Sequence, residues 1–98
     1  MNETWERMKE GSKVLLNELG EKTDIALERG RLQFNIMEAR QNRNKQYTAL
    51  GELTSAILAK GENVAESAEV AILCERIQNY SAQISEWKMR LSVLEHRD

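Results

Sequence analysis

Apolar residues recur at helical spacing along most of this chain, most regularly in its last third. Val70, Ile77, Ile84 and Leu91 are spaced by seven, and so are Leu73, Tyr80, Trp87 and Leu94. The two rows are the a and d positions of a seam sustained over four heptads, with every position apolar or aromatic. Glu75, Arg76, Gln78, Asn79, Gln83, Glu86, Lys88 and Arg90 fill the space between them and form a solvated face. The pattern predicts a helix over about 64–97.

A longer helix, about 4–59, precedes it. From residue 32 its own seam reads Leu32, Ile36, Ala39, Arg43, Gln46, Leu50, Leu53 and Ile57. The break falls at Ala59-Lys60-Gly61-Glu62-Asn63, where a basic residue and then glycine follow the apolar run, a helix C-terminus signal. Asn63 or Ser67 can cap the next helix, and Glu66 stands three residues after Asn63 in a capping-box-like position. A loop of about 60–63 therefore joins two helices into an antiparallel hairpin.

Folding the chain back at Gly61 pairs seam residues whose numbers add to 123: Leu53 with Val70, Leu50 with Leu73, Ala39 with Ile84, Ile36 with Trp87 and Leu32 with Leu91. Small opposite large recurs, as uniform packing density requires. Arg43 falls beside Tyr80, where its guanidinium can stack on the ring and reach water.

Residues 1–24 extend beyond the hairpin, yet they are not polar. Trp5, Met8, Val14, Leu15, Leu16 and Leu19 make an apolar stripe, continued off the seam by Thr23, Leu27, Gly30, Phe34 and Met37. The second helix carries a small-residue face at Ala71, Cys74, Gln78, Ala82, Ser85 and Met89. A lone two-helix hairpin of this size buries too little surface to be comfortably stable. The expectation is a homo-oligomer, dimer or higher, that associates through Trp5, Met8, Leu15, Leu16, Leu19, Leu27, Phe34 and Met37 and packs into a multi-helix bundle. A competing geometry comes from Val14, Ile25, Ile36, Tyr47 and Leu58, which recur every eleven residues. Breaks at Gly11 or Gly20 would instead let residues 1–19 fold back as a third helix.

Composition narrows the function more than it defines it. The chain has 98 residues, 41% hydrophobic and 31% charged, with 14 Lys plus Arg against 16 Asp plus Glu. That suits one domain at most, neither disordered nor membrane-spanning. Proline is absent and there are five aromatics, which favours long helices over a thick core. Residues 29–45 hold five basic residues against Glu38, and residues 62–75 hold four glutamates and no base. In the folded-back register Glu75 approaches Lys45 and Glu86 approaches Arg40, pairs that select orientation more than they stabilise. The near-neutral balance gives no reason to expect nucleic acid, and three bases against four acids in residues 1–19 are the wrong balance for an anionic membrane surface.

No catalytic constellation emerges, so the chain reads as non-enzymatic, without cofactor or metal. His96, the single histidine, lies in the last turn, where it complements the helix dipole. Cys74, the single cysteine, forms no intrachain disulfide and suits the cytoplasm; beside the seam it reads as a packed small hydrophobe. The glycines are scattered singly and make no phosphate loop.

Leu19-Gly20-Glu21-Lys22-Thr23, followed by the Ile36-to-Leu58 seam with Leu50-Gly51-Glu52-Leu53, resembles the N-terminal helical coiled-coil region of small bacterial zinc-ribbon proteins. In those proteins a leucine-glycine-basic-threonine start leads into a long helix, a short loop and a second coiled-coil helix. The resemblance covers about residues 15–95 and implies a bacterial cytoplasmic coiled-coil module. Those relatives carry paired cysteines after the helices; this sequence has none, so no zinc role is carried over.

Two functions fit. One is a structural or adaptor protein that self-associates and offers helix faces to a protein partner. The other is a small helical chaperone or inhibitor that binds a client helix through its N-terminal stripe.

Overall fold

The computed structural model is an all-α helical hairpin. It describes the backbone of residues 2–96 and the side chains of residues 20–96. Helix α1 spans Asn2–Ala59 and helix α2 spans Ala68–Glu95, with a single 3-10 turn, Val64–Glu66, in the connection. The α1 backbone is helical without interruption through Gly11 and Gly20, where the sequence offered breaks. Contacts divide the chain into two compact units, residues 1–31 and residues 32–98. The hairpin is the second of these.

Glycine terminates α1 for a stereochemical reason. Gly61 has φ +73°, in the left-handed region where a side chain is disfavoured. That conformation turns its N–H onto Leu58 O at 3.0 Å and lets the Glu62 N–H reach Ile57 O at 3.1 Å. These are the paired bonds of a Schellman motif, and they satisfy two carbonyls that the ending helix would leave exposed.

Asn63 and Ser67 had competed as caps, and the structure uses both. Asn63 Oδ1 accepts from the Ala65 N–H at 3.0 Å and starts the 3-10 turn. Ser67 Oγ accepts from the Val70 N–H at 3.3 Å and starts α2. The helix proper thus begins at Ala68, later than the expected 64, because one tight turn intervenes. Glu66 meets Asn63 through its backbone: its N–H donates to Asn63 O at 3.1 Å, which replaces the expected side-chain capping box.

The core is a single seam. Among the described residues, the buried hydrophobic side chains are Leu32, Ile36, Ala39, Ile57, Ile77 and Ile84, all at predicted seam positions. Ile36, Ala39 and Ile84 form its centre, with Tyr80, Trp87 and Leu91 packed against them. Burying a large aliphatic side chain is worth roughly 1.5–3 kcal/mol relative to exposure, so Leu32, Ile36, Ile57, Ile77 and Ile84 each favour the pairing of the helices.

Candidate interaction surfaces

Every predicted seam residue is at least half-buried. Besides the six buried ones, Leu50, Leu53, Val70, Leu73, Tyr80, Trp87, Leu91 and Leu94 are intermediate, as are the two polar members Arg43 and Gln46. Clustering of Ile36 and Ala39 with Ile84 and Trp87 is what the pairing rule of 123 requires. Arg43 Nη1 donates to Ser81 Oγ at 3.2 Å, one residue from the expected Tyr80. Arg43 Nε and Gln46 Oε1 are buried within the seam without a hydrogen-bond partner. A polar layer therefore interrupts the apolar seam near its middle.

Sequence reasoning overlooked the flank of that seam. Asn35, Asn42 and Ala49 are half-buried on α1, one residue before each of Ile36, Arg43 and Leu50. Their spacing of seven was the available signal, masked by the polarity of two of the three.

Charge geometry departs from expectation. Among the described residues, no ion pair joins Lys45 to Glu75 or Arg40 to Glu86 across the hairpin. Glu86 instead accepts from Arg90 Nη2 at 2.7 Å, one turn along α2. In the first unit Arg31 lies 3.7 Å from Glu28, also one turn away. Short spacings along one helix win because both partners start close, whereas a cross-helix pair must order two long side chains for a gain of about 0–1 kcal/mol. Cys74 departs as well: it is exposed, not packed beside the seam. The rest of the α2 small-residue face, Ala71, Gln78, Ala82, Ser85 and Met89, is exposed with it.

Of the association stripe, Trp5, Met8, Leu15, Leu16 and Leu19 lie outside the residues whose side chains are described. Leu27, Phe34 and Met37 are exposed, at 66%, 57% and 49%. Tyr47, Leu58, Ile72 and Val93, which the sequence reading left out of any association surface, are also large apolar side chains in the open. Met37 lines a shallow surface groove with Arg40, Gln41 and Asn44 of α1 and Lys88 and Leu91 of α2. A neighbouring groove runs between Gln41, Asn44, Lys45 and Thr48.

Among the described residues, no group of three or more His, Cys, Asp or Glu is placed to hold a metal ion, and no helix is long and apolar enough to cross a membrane. The surfaces can bury apolar area against another helix. No protein-family model matches the chain, and comparison with curated proteins and with solved structures gives no match either.

Proposed function

We propose that this chain is a non-enzymatic structural or adaptor protein of the cytoplasm, a coiled-coil hairpin that self-associates and presents its remaining helix faces to a protein partner. The observation that carries this reading is the imbalance within residues 32–98. Six buried hydrophobic residues stand against exposed Phe34, Met37, Tyr47, Leu58, Ile72, Met89 and Val93. A seam one layer thick is marginal for an isolated domain, and large apolar side chains left in water favour any association that covers them. The client-binding alternative relies on Trp5 to Leu19, whose side chains are not among those described.

Absolute mass by light scattering on size exclusion, over a hundredfold concentration range, tests the self-association. The expected result is a mass at least twice that of the chain, falling towards monomer on dilution. A monomer at every concentration overturns it.

A further inference from the structure

Within residues 32–59, an exposed face of α1 outside the seam, whose Met37, Gln41 and Asn44 border the groove shared with Lys88 and Leu91 of α2, has an unusual make-up. One row along it is Phe34, Gln41 and Thr48, and the adjacent row is Met37, Asn44 and Gly51. All six are exposed, and none is charged. The Thr48 hydroxyl is already used, donating to Asn44 O at 3.1 Å, so it presents no unmet donor. A Cβ built on Gly51 would meet nothing within 4 Å. The hairpin therefore gives no steric reason for glycine there, although glycine inside a helix costs stability relative to alanine.

The charges flank these rows. Glu38, Lys45 and Glu52 border one side, and Arg40 and Tyr47 border the other. All are exposed, and among the described residues Glu38 and Lys45 have no ion-pair partner within the chain.

We propose that this face is a homodimer interface on which a second copy lays its own α1 antiparallel, with the numbers of residues paired across the two central rows adding to 85. The inference rests on the self-association proposed above and supplies its surface and geometry. In this register Phe34 sits over Gly51 of the second copy, Met37 meets Thr48, and Gln41 meets Asn44 beside the two-fold axis. Large faces small, as close approach of two helices requires. The amides at the axis can bond each other and fix the register, as a buried polar pair does in coiled coils. On one flank Glu38 meets Lys45 of the second copy, twice by symmetry. On the other, Arg40 meets the ring of Tyr47, again twice.

Neighbouring arrangements fail on charge. Sliding one heptad in one direction sets Lys45 against Lys45 and Glu38 against Glu52. Sliding the other way sets Glu38 against Glu38 and Arg40 against Arg40. A parallel pair brings Arg40 to Lys45 and stacks Gly51 on Gly51, leaving a void. This self-complementarity selects a second copy over an unrelated helix as the occupant.

Charge reversal with rescue tests the pairing in the full chain. Glu38→Lys turns two attractions into two repulsions and is expected to weaken the dimer about tenfold by sedimentation equilibrium. Lys45→Glu does the same, and the double variant returns to wild-type affinity. Helicity by circular dichroism stays unchanged throughout, because both side chains are exposed.

Single cysteines in a Cys74→Ser background test direction. At positions 41 and 44 a thiol lies only about 5 Å along the axis from its own counterpart, and a disulfide is expected. At position 34 the offset is about 25 Å, so Phe34→Cys links only when mixed with Gly51→Cys. Self-linking at 34 as efficient as at 41 overturns the antiparallel register. A dimer indifferent to Glu38→Lys and Lys45→Glu overturns the surface while leaving self-association standing. A wild-type chain monomeric at all concentrations overturns both.

Discussion

The two faces of α1 between residues 32 and 59 share one backbone and nearly opposite chemistry. On the seam face, Leu32, Ile36, Ala39 and Ile57 are buried, and the helix is held by what α2 packs onto it. On the far face, Phe34 and Met37 are in water, and no described residue of the hairpin contributes to covering a Cβ at Gly51. The same residue type therefore means different things a half-turn apart. An apolar side chain on the first face is core; on the second it is exposed, at 57% for Phe34 and 49% for Met37. The seam is set by attraction between large side chains, the far face by an absence of charge.

The largest separation of the two faces comes from placing a charge on each. Ile84→Asp puts a carboxylate against Ile36 and Ala39, where nothing can pair it, and is expected to cost about 3–5 kcal/mol. Phe34→Asp, on an exposed site, should change hairpin stability by less than about 0.5 kcal/mol at concentrations where the chain is monomeric. Denaturant melts followed by circular dichroism read both. Equal effects would mean that the two faces are not distinct.

A second contrast uses one added side chain with opposite signs. Ala39→Leu forces extra volume into a site that is 3% exposed and should destabilise by about 1–3 kcal/mol. Gly51→Leu enters open space and replaces a poor helix former, so it should raise hairpin stability by up to about 1 kcal/mol. In the proposed dimer it would also collide with Phe34 of the second copy, so stability and association should move apart.

Legibility follows the same division. The seam was readable because burial selects large aliphatic residues at fixed spacing, and a hairpin of constant pairing sum leaves one register that buries Ile36, Ala39 and Ile84 together. The turn was readable down to Gly61, since left-handed backbone has few tenants. Asn63 and Ser67 could not be resolved, because spacing alone does not reveal that a 3-10 turn separates two capped starts. Charge partners were the least legible. Glu86 had Arg90 along its own helix and Arg40 across the pair, and energies of this size do not impose a long-range choice. Cys74 was misplaced because a small apolar residue flanking a seam packs only if the opposing helix supplies atoms to meet it. The far face of α1 was followed as far as Met37 and no further, since Gln41, Asn44 and Thr48 carry no apolar signal.

The smallest predicted effect sharpens the comparison from within the seam itself. Arg43 and Gln46 are the polar members of an otherwise apolar row, and Arg43 is partly compensated through Ser81. Gln46 is not: its Oε1 is buried with no partner, so the folded state carries a desolvated acceptor that water satisfied in the unfolded chain. Gln46→Met keeps the length and the unbranched shape while removing that acceptor and adding apolar contact towards α2. The expected gain is about 1 kcal/mol, and a shift of roughly 4–8 °C in Tm at fixed concentration for a chain of this size. Arg43→Met should gain less or lose, because it also removes the bond to Ser81. If Gln46→Met destabilises instead, the amide is held by a group outside the isolated hairpin, and the polar layer belongs to an assembly rather than to the fold of one chain. The sign at this one position therefore separates a seam that is complete in the monomer from one that is completed by association.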